Sequence, residues 1–460
     1  MNIEKLLQQP ESKTLEFKTD LSSLDPIIKT IVAFANTAGG ILIIGRSSDG
    51  TISGIKDVLK AEETLANVIS DSIKPALLPE IEITTIDKKE LLVVQVSHWK
   101  GPFYVKKEGI PKGVYIRLGS TSRPASPELL AELQRSVLNL YYDQQALPDL
   151  SKEALNIEKA LKCLHTVDKN ITEAKLLSLG ILVSTAKGLV PSIGGLILFG
   201  KDTIRQQLVP DARVSCARFL GTDKTNILDR HEVEGTILDA VDEVTKFISR
   251  NTRLFAEIKT IRRKDIPEYS IEALREALIN AFAHADYSMT GSRIQIAIFD
   301  DRLEILNPGM LPFGFTIEDL KAGISRIRNR VIVRVFHKLE LMEEWGSGYR
   351  RMIEACRNGG YPEPKWEELG TMMKVTFYPS SKTVLKREKL VIASEELSDR
   401  EEAILRLFDT NERLNFRQIF ERISPPISER MLRYNLAELK KRGVITSKAR
   451  GRATFWEKMS

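Results

Sequence analysis

The chain has 460 residues, 28% of them charged and 42% hydrophobic, with a formal net charge of +6; that length exceeds one hydrophobic core and predicts three or four domains of a soluble globular protein. No signal-peptide-like apolar stretch follows Met1, and the most apolar runs, "GGILIIG" and "GGLILFG", are too short to cross a bilayer, so a membrane role is not expected. Cys163, Cys216 and Cys356 are scattered and odd in number, form no CxxC pair and have no histidine cluster, which argues against a disulfide framework or structural zinc and predicts a cytoplasmic protein.

Ten residues into the chain stands "ESKTLEFK", Glu11 to Lys18. Leu15 and Phe17 alternate with Glu16 and Lys18, as on a half-buried strand. Two carboxylates held close raise each other's pKa, so Glu11 and Glu16 invite a cation between them, either Lys18 or a metal. Glu-x-Lys on a strand is also a metal-nuclease layout, in which the lysine steadies hydroxide or the scissile phosphate. An ordinary Glu–Lys pair on a strand edge is the alternative. A helix, "DPIIKTIVAFANTAGG", should follow, then strands from "GGILIIGRSSDGTISGI", "KELLVVQV" and "GVYIRLGSTSRPAS", and a helix, "PELLAELQRS". Gly40 to Ser47 mimics a phosphate-binding GxxxxGK[ST] loop, but Arg46 replaces the lysine and Ile-Leu-Ile-Ile demands a buried strand.

Glu11, Glu16 to Lys18, Ala33 to Gly40, Asp49-Gly50 and Tyr115 to Ser126 together resemble the Schlafen AlbA-type domain, over residues 1–137. The resemblance implies an α+β nucleic-acid-binding domain. In its nuclease members two glutamates at this spacing and a downstream aspartate hold a divalent metal and cut RNA. Here Glu11, Glu16 and Lys18 match, and Asp49 is the nearest third acid. Lys106, Lys107, Arg117 and Arg123 are the expected phosphate contacts.

Residues 138–260 read as an α/β connector without a catalytic constellation; His165 and His231 stand alone. Then "SIEALREALINAFAHADYS" starts a helix at Ser270 and sets Glu276, Asn280 and His284 four residues apart, on one face, with Leu274, Leu278 and Phe282 on another. An amide to ligate Mg²⁺ and a carboxylate to polarise water are what a metal–phosphate site needs. A hairpin, "RIQIAIFDDRLEILNPGMLP", the basic run "SRIRNRVIVRVF", the loop "EEWGSGYRRM" and a strand, "MMKVTFYP", complete the segment.

This order resembles the GHKL ATP-binding fold, and more closely the RecG-related domain of bacterial and archaeal regulators, over roughly residues 265–380. The resemblance assigns Glu276, Asn280 and His284 to an N-box, Gly309 to a first glycine box, and Gly346 and Gly348 to a second. It implies ATP with Mg²⁺ or Mn²⁺, Glu276 as the catalytic carboxylate and Asn280 as the metal ligand. Asn307 stands where ordinary members carry an adenine-binding aspartate. Arg326, Arg328, Arg330 and Arg334 would clamp phosphates or form a solvated face. Without a P-loop, helicase activity is not implied.

Residues 382–397 form a charged linker. Beyond it, Ser398 with Glu401 has capping-box spacing, Asn415 starts a second helix, Pro425-Pro426 breaks the chain, and a third helix runs from Ser428 toward Gly443. "GVITSKARGRATFWEK" alternates as a hairpin with a basic tip. From Arg430 to Ser460 nine Lys/Arg face two Asp/Glu, a surplus above that of the whole chain, which points to a polyanionic partner. Residues 398–460 resemble a winged helix-turn-helix domain. That implies Arg430, Arg433 and Tyr434 in a major groove, and Lys448, Arg450 and Arg452 on the backbone or minor groove.

The expected fold class is therefore multidomain α+β: a Schlafen AlbA-type α+β domain (1–137), connector (138–260), GHKL-like α/β sandwich (261–381), linker (382–397) and winged helix-turn-helix (398–460). The expected function is an ATP-binding, DNA- or RNA-binding transcriptional regulator, acting as a homodimer or larger homo-oligomer. The alternative is a metal-dependent endoribonuclease.

Overall fold

A computed structural model of the chain describes residues 2–258, 263–343, 347–380, 398–409, 413–441, 444–448 and 455–458. They form two compact units, Met1–Ser380 and Ser381–Ser460. Among the described residues no helix is long and apolar enough to cross a membrane.

The first unit begins with a βαβ crossover. Strands Leu15–Lys18 and Gly40–Ile44 pair in parallel, joined by helix Leu24–Asn36. Antiparallel strands Lys89–Val96 and Glu80–Ile86 complete a four-stranded sheet. "GILII" is uniformly apolar because both of its faces are covered. Leu42 and Ile44 pack with Ile27, Ile31 and Phe34, while Ile43 packs with Leu15, Phe17 and Leu91 on the opposite face. The P-loop mimic is thus a core strand, as the sequence requires. The "AFANTAGG" stretch pins outlying segments. The amide of fully buried Asn36 donates to the carbonyls of Phe103 (2.8 Å) and Tyr115 (2.9 Å) and accepts from Phe103 N (2.8 Å), and Thr37 Oγ1 accepts from Arg117 N (2.8 Å).

A six-stranded mixed sheet dominates the rest of the unit, in the order 226–233, 214–220, 294–298, 303–308, 372–377, 365–369. Val214–Leu220 runs parallel to Ile294–Ile298; the other pairs are antiparallel. Strands Val214–Leu220 and Asn226–Val233 come from the stretch expected to be a connector. One buried cluster runs from Leu155 to Phe377, so that stretch and the glycine-box segment share a core. Helix Ile193–Phe199, from "GGLILFG", is buried throughout, and a Cβ on Gly194 would lie 2.7 Å from Val331 Cβ. Buried Asp143 Oδ2 accepts from Val331 N (2.5 Å) and Ile332 N (3.1 Å), at the start of helix Arg330–Lys338. Burial pushes its carboxyl up to about 6, against the lowering effect of those amides.

The second unit contains helices Asp399–Asp409, Phe416–Arg422 and Glu429–Lys441, with a three-stranded sheet ordered 414–415, 455–458, 445–448. Ile404, Ile419, Leu432, Leu436 and Leu439 anchor its core. Ser398 Oγ accepts from Glu401 N (3.3 Å) while Glu401 Oε2 accepts from Ser398 N (2.8 Å), a reciprocal cap. Asn415 and Gln418 make a second one.

Candidate functional site

A cavity of about 1140 Å³, its open mouth included, lies between helix Ile271–His284, the segment 309–328, helix Gly348–Gly359 and the outer strands of the large sheet. Glu276, Asn280, His284, Asn307, Gly309 and Gly348 all line it. Three distant sequence motifs therefore converge on one space. Ser270 Oγ caps the first helix, which turns Leu274, Leu278 and Phe282 into the core and leaves the Glu276–Asn280–His284 row on the cavity.

Each group is held by a specific contact. Glu276 Oε1 accepts from Asn280 Nδ2 at 3.1 Å, and its Oε2 pairs with Arg351 Nη2 at 2.9 Å. Arg351 also reaches Glu343 Oε1 at 2.8 Å. Gly348 makes room for this arrangement, since a Cβ there would lie 2.4 Å from Glu276 Oε1 and 3.0 Å from Asn280 Nδ2. Gly309 has φ +98, and its Cβ would lie 2.1 Å from Arg328 Nη1. Desolvation, then the positive charge of Arg328, push the His284 imidazole down to about 4, so it is neutral at pH 7. Asn307 is 6% exposed and makes a long, 3.4 Å contact to Pro308 O. Apolar Ile305 and Val375 line the floor, and Tyr349 and Trp366, centroids 4.6 Å apart, form an aromatic wall. Gly346 lies outside the described residues.

The four arginines of "SRIRNRVIVRVF" are not one clamp or one solvated face. Arg328 is a brace: it donates to His284 O (3.2 Å) and Met310 O (2.9 Å) and pairs with Glu132 Oε1 (3.0 Å). Arg326 lines the cavity and donates to Phe313 O, Arg330 lies over the Tyr141 ring at 4.1 Å, and Arg334 is exposed.

The "ESKTLEFK" strand is built differently. Glu16 is buried, with Lys18 Nζ 2.5 Å from Oε1 and Arg117 Nη1 2.9 Å from Oε2, the latter an ion-pair contact outside hydrogen-bond geometry. Arg117 is 1% exposed; it donates to Ser12 O (2.7 Å) and Ser122 Oγ (3.1 Å) and lies over the Phe34 ring. That corrects its expected role, because a guanidinium sealed inside the fold is not presented to a phosphate. Glu11 Oε1 accepts from Phe17 N at 3.1 Å. Asp49 is exposed and accepts from Thr51 N at 2.9 Å; hydrogen bonds from Thr51 hold its carboxyl below the usual range. Among the described residues no three His, Cys, Asp or Glu side chains converge to hold a metal, so Glu11, Glu16 and Asp49 are not assembled as a three-ligand centre. Lys106, Lys107 and Arg123 are exposed, with Lys107 paired to Asp25.

In the second unit Arg430, Arg433 and Tyr434 lie exposed on helix Glu429–Lys441, and Arg433 stacks over Phe416 at 4.3 Å. Lys448 ends strand Ile445–Lys448; Arg450 and Arg452 lie outside the described residues.

Residues 11–126 match the family model "Schlafen, AlbA_2", and residues 291–377 match the model "Putative ATP-dependent DNA helicase recG C-terminal". Both matches fall on one chain and do not overlap. The AlbA_2 match contains Glu11, Glu16, Lys18, Asp49 and Arg117; the recG C-terminal match contains Asn307, Gly309 and Gly348 but not the helix bearing Glu276, Asn280 and His284. No curated protein matches the chain. A crystallised protein of Corynebacterium diphtheriae is similar over 99% of this chain and 96% of that one, at 20% identity and a TM-score of 0.44. The solution structure of the N-terminal domain of a "Putative ATP-dependent DNA Helicase RecG-related Protein" of Nitrosomonas europaea covers 27% of this chain and 90% of that one, at 29% identity and a TM-score of 0.22.

Two residues of the two sites carry no role that the sequence motifs assign. Arg351 sits inside the "GYRRM" stretch and Lys13 inside "ESKTLEFK", where Lys13 Nζ pairs with Glu368 at 2.8 Å. Neither pairing leaves a local signal, since the partners are 75 and 355 residues apart.

Proposed function

We propose that the protein binds ATP in the cavity and nucleic acid elsewhere, and that nucleotide state controls its engagement of DNA or RNA, as in a transcriptional regulator. The observation that carries this reading is the convergence of Glu276, Asn280, His284, Asn307, Gly309 and Gly348 on one cavity. Its apolar and aromatic lining suits a heterocyclic base, Asn307 offers a donor and an acceptor to the base edge, and Gly348 and Gly309 let backbone come close to a ligand. The donor set fits Mg²⁺ carried with the phosphates: Asn280 supplies an amide oxygen, and such an ion keeps few protein ligands. Glu276 polarises water only once Arg351 releases it, so hydrolysis is secondary to binding in this account.

The second unit is read as a winged helix-turn-helix that carries DNA binding through Arg430, Arg433 and Tyr434, with Lys448, Arg450 and Arg452 as the wing. Lys106, Lys107 and Arg123 are the proposed contacts on the AlbA_2 domain. A homodimer would present two such units to paired half-sites.

The test uses labelled duplex DNA, single-stranded RNA and tRNA, with Mg²⁺ or Mn²⁺, with and without ATP, and wild type beside Glu11→Ala, Glu16→Ala and Asn280→Ala. Retarded but intact nucleic acid, with a nucleotide response missing in Asn280→Ala, supports the regulator. Strand scission lost in both glutamate variants overturns it in favour of a metal-dependent nuclease.

A further inference from the structure

The cavity and the buried Glu16–Arg117 pair share one stretch of chain, residues 309–316. Gly309, Met310, Leu311 and Phe315 line the cavity. Side chains of the stretch divide between two cores. Leu311 and Phe315 pack with Met373 on the cavity side. Met310 and Phe313 instead join Val114, Ile116, Leu129 and Leu133, all from the N-terminal α+β segment. Two glycines within it, Gly309 and Gly314, stand at positive φ. A Cβ on Gly309 would strike Arg328, and one on Gly314 would lie 2.2 Å from His98 Cδ2.

Polar ties run outward from the same stretch. Gly314 N donates to Thr37 O; Thr37 Oγ1 accepts from Arg117 N at 2.8 Å, and Arg117 holds Glu16. Leu311 N donates to Glu368 Oε1 at 2.8 Å, and Glu368 takes Lys13, two residues from Glu11. Arg328 ties Met310 O to Glu132. A wall packed and hydrogen-bonded on both sides does not deform gradually; it holds one arrangement or shifts as a piece.

We infer that residues 309–316 transmit occupancy of the cavity to the Glu16–Arg117 pair, so that a nucleotide tightens the AlbA_2 domain beneath its nucleic-acid face. This rests on the nucleotide reading above. By linkage, whatever binds that domain preferentially in its tightened form raises nucleotide affinity by the same factor.

Hydrogen exchange on the full chain, with and without a non-hydrolysable ATP analogue and Mg²⁺, tests this, with saturation established by calorimetry on the same sample. Exchange at Gly314, at residues 112–118 and at 129–133 should slow by about fivefold or more, the lower end of ordinary site-to-site coupling. The outer strand Glu80–Ile86, at the edge of the four-stranded sheet, should not change. Thr37→Ala, which removes the acceptor for Arg117 N and does not line the cavity, should keep nucleotide affinity and lose the slowing at Arg117. Saturable binding with unchanged exchange at 112–118 overturns the inference and leaves the nucleotide reading intact. Full slowing in Thr37→Ala overturns the polar route. Absence of saturable heat overturns both the inference and the reading.

Discussion

The cavity and the "ESKTLEFK" strand both present a glutamate in a charged motif, yet the fold treats the two carboxylates in opposite ways. Glu276 stands at an open space, held by one arginine and one amide, and a glycine is kept free beside it. Glu16 is sealed between Lys18 and Arg117. A buried carboxylate already matched by two cations has little to offer a metal, whereas a cavity that keeps polar groups at its wall and glycines around them is made for a ligand. Charge pattern alone does not separate these cases; burial and long-range partners do.

Substitutions that exchange the two situations should break the comparison. The largest effect is expected from Gly348→Val, which drives a side chain into Glu276 and Asn280. Binding of an ATP analogue should fall about a hundredfold or more while the melting temperature stays near that of the wild type, because the side chains it displaces, Glu276 and Asn280, line the cavity and not the apolar core. Calorimetry beside thermal unfolding checks both halves.

Glu16→Ala should act on stability instead. Leaving Arg117 buried without its partner should cost about 3–5 kcal/mol, read from denaturant unfolding. Asp49→Ala, on an exposed turn, should stay within about 0.5–1 kcal/mol of wild type. A Glu16→Ala protein as stable as Asp49→Ala would mean that Glu16 is not a structural charge.

Lys448→Ala in the second unit should weaken duplex binding by about tenfold and flatten its salt dependence by about one log–log unit, as for loss of one phosphate contact. Fluorescence anisotropy across a salt series reports both. An unchanged slope would detach Lys448 from the nucleic acid.

The smallest effect concerns Asp143. Its folded carboxyl is raised to about 6 by burial, so it binds its proton more tightly folded than unfolded. The stability this contributes is present at pH 4 and is lost as pH rises through 6. Relative to Asp143→Asn, wild type should therefore lose stability between pH 4.5 and 7, by unfolding at each pH. A difference that stays constant would remove the protonation argument and leave only the helix cap.

Much of the cavity was legible because its determinants are local. Spacing of four put Glu276, Asn280 and His284 on one helix face, and the Asn-Pro-Gly turn announced Gly309. "GILII" declared itself a strand by having no polar face, and Ser398 with Glu401 announced a cap. What the sequence hid was every pairing that crosses the fold. Arg117 looked like a basic surface residue until its partner Glu16 was found beneath it. Arg328 looked like one of four similar arginines, and its bond to Glu132 spans 196 residues. The stretch before residue 260 looked like a connector because nothing local says that Val214–Leu220 pairs in parallel with Ile294–Ile298. Periodicity reports which face is apolar, and only the sheet order reports what that face meets.

Affinity for a labelled DNA duplex and for a single-stranded RNA, measured by anisotropy on the full chain with and without a saturating non-hydrolysable ATP analogue and Mg²⁺, tests the central claim. The account predicts that nucleotide shifts the dissociation constant for at least one of them by about fivefold or more, and that the shift is absent in Gly348→Val. Equal affinities in the presence and absence of bound nucleotide would contradict it.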